Sequence, residues 1–125
     1  MMCIFMAEAQ TVKTVGNTGA DYATLKLAFN AINAGTISGN IELRIIASTT
    51  ETAIASLAAS GSGSASYTAV AVYPTASGLT ITGSAPLTGA VVELVGAKNV
   101  TFDGRVNRTG TVADLTIQHS FAGND

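Results

Sequence analysis

The sequence predicts an all-β parallel solenoid of about three coils, with one α-helix capping its first coil. Three observations point there. From Ile41 onward, apolar and polar residues alternate with period two in short runs. Ile41, Val70 and Val100 each open the same kind of strand and stand 29 and 30 residues apart. No Asn-Gly or two-residue Asp-Gly linker joins one run to the next, so tight hairpins lack their turn chemistry. Equivalent strands recurring at such distances stack on one another, and loops of varying length absorb the difference. The competing fold, an antiparallel β-sandwich, needs those missing hairpins; Asp103-Gly104 comes closest, but its next strand begins about ten residues later.

Taken in order, Thr11 to Val15 is a short β-prone run ended by the turn-rich "GNTG" of Gly16 to Gly19. A helix is expected from Asp21 to Ala34. Asp21 serves as its N-cap, and Tyr22, Leu25, Phe29 and Ile32 form one apolar face at helical spacing. Gly35 stands where a terminating glycine belongs. The strand "IELRII" then turns Ile41, Leu43 and Ile45 inward and Glu42 and Arg44 outward. "ETAIASLAASGSGSASY" reads as a poor strand followed by a flexible loop. The inward pairs that follow are Val70 and Val72, Leu79 and Ile81, Val92 and Leu94, Val100 and Phe102, and Leu115 and Ile117. Stacked at about 4.8 Å, such strands satisfy one another's N–H and C=O groups around a narrow core.

Composition narrows the function classes. The chain has 125 residues, enough for one domain, and is 47% hydrophobic but only 11% charged, against roughly 25% charged in ordinary soluble domains. That scarcity points to a secreted or cell-surface, extracellular protein. A net charge of −2 gives no basic footprint for nucleic acid. No apolar run reaches the ~18 residues of a membrane span, and the single cysteine, Cys3, excludes an internal disulfide. Residues 1–9 read as a truncated signal-peptide-like leader: an apolar run, then Ala7-Glu8-Ala9 as the small-x-small site, with cleavage before Gln10. Residues 10–125 form the cap and first coils, and because the sequence stops just after a strand they read as the opening of a longer domain.

No residue is assigned a catalytic, cofactor-binding or metal-binding role. Glycoside cleavage needs converging carboxylates, and the outward positions Glu42/Arg44, Ala69/Ala71 and Thr101/Asp103 break any acidic stripe. Asp103 with Arg105 is the best local pair and reads as a turn carrying a solvated arginine. Glu42 and Arg44 read as a surface pair. His119 is the one histidine, without companions at ligand spacing. "GSGSAS" lacks the lysine of a phosphate loop and the last glycine of a dinucleotide loop. Asn99 and Asn107 sit in glycosylation-type sequons, although Asn99 and Asp114 also suit turn chemistry. Thr80, Thr82, Thr101 and Thr116 make a candidate lattice-binding ladder, interrupted by Asp103 and Gln118.

Taken together, "TVGNTGADYATLKLAFNAINAG", "GNIELRIIASTTETA", "YPTASGLTITGS", "GAKNVTFDGRVNRTG" and "DLTIQHS" resemble the opening of secreted bacterial right-handed parallel β-helix proteins of the pectin-lyase-like kind. Many of these end in a type IX secretion sorting domain. The resemblance covers nearly all of Gln10 to Asp125, implies an exported adhesin-like surface protein, and carries over no catalytic residue. The expected function is therefore a non-catalytic structural or interaction module. Its expected partners are further coils of the same solenoid, or a self-associating copy at the open C-terminal edge, with glycans as a further candidate. The alternative is the opening of a carbohydrate-active lyase or hydrolase whose catalytic residues lie beyond Asp125.

Overall fold

The computed structural model describes residues 10–120; the leader expected over residues 1–9, with Cys3, lies outside them. The elements run β1 (Thr11–Val15), α1 (Leu25–Asn33), β2 (Gly39–Ile45), β3 (Thr49–Glu51), β4 (Ala55–Ala58), β5 (Tyr67–Pro74), β6 (Thr80–Gly83), β7 (Val92–Val95), β8 (Val100–Phe102), a 3-10 turn (Val106–Arg108) and β9 (Thr116–His119). They form a four-stranded sheet in the order β1-β2-β5-β8, a three-stranded sheet β3-β6-β9 and a two-stranded sheet β4-β7. Every pairing between these strands is parallel, which excludes the antiparallel sandwich.

This architecture corrects the expected all-β, right-handed parallel β-helix of about three coils with a capping helix. The described residues make a small mixed fold, with short parallel strands in three small sheets and one helix. The physical reason lies in what alternation encodes. It specifies which residues face inward and which strands pair, and Ile41, Val70 and Val100 do lie side by side in register. It does not specify that every sheet carries an equivalent strand. β1 has no counterpart in the other two sheets, and α1 occupies that level instead.

The helix is part of the core. Leu25, Ala28, Phe29 and Ile32 are buried and pack with Ile41, Leu43, Ile45, Val70, Val72, Ile81, Leu57 and Val15 in one apolar cluster. Burial of a side chain such as Leu25 or Phe29 is worth about 1.5–3 kcal/mol. The helix begins later than its sequence suggests. Thr24 is the N-cap, its hydroxyl accepting from the Leu27 N–H at 3.2 Å. Asp21 is instead drawn back to β1, where its carboxylate accepts from the Thr14 N–H and hydroxyl at 2.9 and 3.1 Å. At the other end, the Gly35 N–H reaches the Ile32 carbonyl and the Thr36 N–H the Ala31 carbonyl, the paired closure of a Schellman motif. Gly35 has φ +74°, and a Cβ there would meet the Ser64 carbonyl oxygen at 2.6 Å. Both facts require glycine.

Two polar side chains fasten α1 to the sheets. Glu51, on β3 and 1% exposed, accepts from the Leu25 N–H at 3.1 Å through Oε2 and from the Lys26 N–H at 2.9 Å through Oε1. Asn33 at the last turn donates to the Ser56 carbonyl and accepts from the Ala58 N–H, both at 2.9 Å. Its amide thus does for β4 what a neighbouring strand would do. Tyr67 ties β4 to β5, its hydroxyl donating to the Ala58 carbonyl at 2.6 Å. The run "GSGSAS" is less free than expected: Ala65 is buried and the backbone closes on itself through Gly61 to Ala65.

The last strands are less covered than their alternation predicts. Leu94 and Ile117, both expected inward, are 44% and 43% exposed, and Val95 is 53% exposed. β7, β8 and β9 are the outer strands of their sheets, so among the described residues no further strand lies over these side chains.

Replacing Glu51 tests the helix attachment. Glu51→Ala leaves the buried Leu25 N–H and the part-buried Lys26 N–H without their acceptor and is expected to cost about 2–4 kcal/mol in urea denaturation. Glu51→Gln keeps one acceptor but turns an NH2 towards a donor, so it too should destabilise, by less. Equal stability of all three proteins would show that the carboxylate does not anchor α1.

Candidate binding face on the four-stranded sheet

Charged residues are few, yet most of those in the four-stranded sheet gather on its outer face. The register explains how. Arg44 of β2 lies beside Tyr73 of β5, and β8 places Asp103 just past Phe102, its N–H donating to the Val72 carbonyl. Arg44, Tyr73 and Asp103 therefore cross three neighbouring strands in one outward row. Glu42 stands two residues before Arg44 on the same face.

Tyr73 is the centre of this row. It is buried and accepts from Arg44 Nε at 2.7 Å through its hydroxyl, while the Arg108 guanidinium lies 5.8 Å from its ring centroid, within cation–π range. Burial pushes the Tyr73 phenol above its ordinary value and the Glu42 carboxylate adds to this, with Arg44 opposing. Arg44 is held above its ordinary value chiefly by the bond to Tyr73, and its Nη2 also donates to Glu42 at 3.3 Å. Glu42 is buried, 7% exposed, so the expected surface pair is in fact a half-covered one packed beside an aromatic ring.

Asp103 and Arg105 form a second, tighter unit. Arg105 Nε and Nη2 grip the two carboxylate oxygens at 3.0 and 2.8 Å, the fork geometry of a bidentate pair. The Arg105 N–H also donates to Asp103 at 3.0 Å, and Nη1 reaches the Gly110 carbonyl at 3.2 Å. The turn expected at Asp103 is present, and its arginine, two-fifths exposed, also clamps the loop that follows. The side-chain and backbone bonds from Arg105 hold the Asp103 carboxyl at about 2. Arg108 approaches the same carboxylate at 3.8 Å.

The loop backbone is strained to bring Arg108 there. Asn107 and Arg108 adopt φ of 52° and 59°, the left-handed region that asparagine tolerates and that costs a residue such as arginine roughly 1–2 kcal/mol. Asn107, the second sequon residue, is thus a turn residue. Asn99 is one also, with φ 58° and its Nδ2 donating to the Thr68 carbonyl at 3.2 Å. Asp114 accepts from the Gly78 N–H at 3.2 Å, which is the turn chemistry its position suggested.

The remaining candidates separate. Thr80, Thr82, Thr116 and Gln118 share the outer face of the three-stranded sheet, where Gln118 donates to Thr82 at 3.2 Å. Thr101 belongs to β8 on the other sheet, so the four threonines do not make one ladder. His119 pairs in register with Gly83, and among the described residues no three His, Cys, Asp or Glu side chains gather as a metal site. A cavity of about 430 Å³ is lined by Ala59, Ser60, Tyr67, Gly96, Lys98 and Asn99. The Ser60 hydroxyl, Tyr67 hydroxyl and Asn99 amide there already serve neighbouring backbone groups.

Two residues of the outer row, Tyr73 and Arg108, escaped the sequence reading. For Tyr73 a signal existed: it follows Arg44 by the 29 residues that separate Ile41 from Val70. Arg108 carries no such signal, because an irregular loop delivers it. Comparison with family models, curated proteins and solved structures finds no match for this chain.

The Asp103 clamp makes stability depend on acid. The carboxyl is lowered from 3.8 to about 2 in the folded protein, so its contribution is complete above the unfolded value and is lost as pH falls through the folded one. Asp21 is lowered as well, by its bonds from Thr14, and adds in the same direction. The thermal midpoint of wild type should exceed that of Asp103→Asn at neutral pH. The two should converge as pH drops from about 4 to about 2. A constant gap across that window would remove Asp103 as the cause.

Proposed function

We propose that this chain is a non-catalytic structural and interaction module of a secreted, adhesin-like surface protein, as its resemblance to exported bacterial surface proteins implies. The observation that carries the reading is the uncovered set of strands β7, β8 and β9. Each is the outer strand of its sheet, and Leu94, Val95 and Ile117 on them are exposed apolar side chains. Outer strands offer N–H and C=O groups in a row, and such edges recruit further strands. The module engages further parallel strands at these three edges, supplied by the same polypeptide or by a second copy.

The charged groups support a binding rather than a chemical role. General acid–base work at neutral pH needs a group poised near 7. Asp103 is held at about 2 by Arg105, and Tyr73 is pushed above its ordinary value by burial. Neither exchanges a proton readily at neutral pH.

Sedimentation velocity from micromolar to millimolar protein tests the reading. Wild type should associate as concentration rises, and a Val95→Lys, Ile117→Lys double variant should not. Both side chains are exposed, so unfolding stability should change by only about 0.5 kcal/mol per site. Cleavage of a polysaccharide by a protein that stays monomeric throughout would sink the proposal and favour an enzyme.

A further inference from the structure

The outer row of the four-stranded sheet holds donors that the fold leaves unused. Arg105 engages all three of its nitrogens, with Asp103 and Gly110. Arg44 spends Nε on Tyr73 and Nη2 on Glu42, and its Nη1 makes no hydrogen bond to the described residues. Arg108 has only an ion-pair approach to Asp103 at 3.8 Å, through Nε, and its position over the Tyr73 ring; both its terminal nitrogens remain. The two guanidinium groups thus stand against one phenol, one at its hydroxyl and one over its face. Both side chains are about two-fifths exposed. Three arginines face two carboxylates, Glu42 and Asp103, and leave one surplus positive charge on a chain whose net charge is −2.

We propose that Arg44 and Arg108, held apart by Tyr73, form a binding site for a tetrahedral oxyanion of the sulfate or phosphate type. Guanidinium groups bind oxyanions through short charge-assisted hydrogen bonds. Two groups approaching from different sides favour an anion whose oxygens project out of one plane, whereas a planar carboxylate offers both its oxygens to a single fork. The strained backbone at Asn107 and Arg108 is the second observation. Two successive left-handed residues, neither of them glycine, lead into the position of Arg108 over Tyr73, and strain of this kind collects where a side chain must be held for binding. The site is separate from the strand edges of the preceding proposal, and either can fail alone.

The test is an NMR titration of the arginine Nε–H signals with inorganic sulfate, with methyl sulfate as the esterified form and acetate as the planar control, all at one ionic strength. Sulfate should shift the Arg44 and Arg108 signals along one saturable curve, with half-saturation at about 1–10 mM. Acetate should bind at least about tenfold more weakly. Methyl sulfate binding like sulfate identifies a site open to esters; loss of its binding identifies one for the free anion. Arg108→Ala, a half-exposed position, should weaken sulfate binding about tenfold while the thermal midpoint holds. Tyr73→Phe, which removes the hydroxyl that fixes Arg44, should weaken it as well. Linear, unsaturable shifts, equal binding of acetate, or unchanged binding by Arg108→Ala in a folded protein would each overturn the site.

Discussion

The structure depends on one buried carboxylate. Glu51 sits on a three-residue strand, is almost wholly out of water, and receives the first N–H groups of the helix. A helix start leaves several N–H groups without internal partners and carries partial positive charge. The helix brings no acidic residue of its own in its first turn, so the charge comes from a neighbouring element. Burying an ion is costly unless hydrogen bonds replace its water. Here both oxygens are used, and the arrangement fixes where α1 lies on the sheets. Once that is fixed, Phe29 and Ile32 meet Leu57 and the inward residues of β2 in one core.

Asn33 completes the attachment from the other end of the helix. The first strand of the two-stranded sheet has β7 on one side and the Asn33 amide on the other. Backbone groups on that side are satisfied by a side chain, which is why a helix can stand at a level where strand pairing otherwise runs on. The opposite side of the molecule has no such closure among the described residues: β7, β8 and β9 end their sheets with exposed Leu94, Val95 and Ile117. The helix thus covers the β3 and β4 side of two sheets, while β7, β8 and β9 present strand edges, which is the observation behind the proposed interaction role.

The outer face follows from the same parallel register. Strands that pair with a 29-residue offset bring Arg44 beside Tyr73, and the next strand adds Asp103. From a scarce set of charges the fold builds two units of different character. Asp103 and Arg105 grip each other through three hydrogen bonds and pin a loop. Arg44 and Arg108 keep donors to spare, one at the hydroxyl of Tyr73 and the other over its ring.

The sequence by itself determined the local and pairwise features. Period-two alternation marked Ile41, Leu43, Ile45, Val70, Val72 and Ile81 as buried, and the recurrence of equivalent strands set the parallel neighbours. Helical spacing placed Leu25, Phe29 and Ile32 on one face, and Gly35 at its end. These properties rest on backbone geometry and hydrophobicity, which neighbouring residues encode. Tertiary structure alone decided the rest. Whether Leu94 and Ile117 are covered depends on a strand outside their own segment, and so does whether Asp21 caps a helix or bonds to Thr14. The same is true of Glu51, which in sequence is an ordinary polar residue near a poor strand. Its burial is set by a helix start 26 residues earlier, and no local pattern records an acceptor needed at that distance. The mixed architecture of three small sheets and a helix, in place of an all-β solenoid, is likewise a matter of which element fills each level, and alternation says nothing about that.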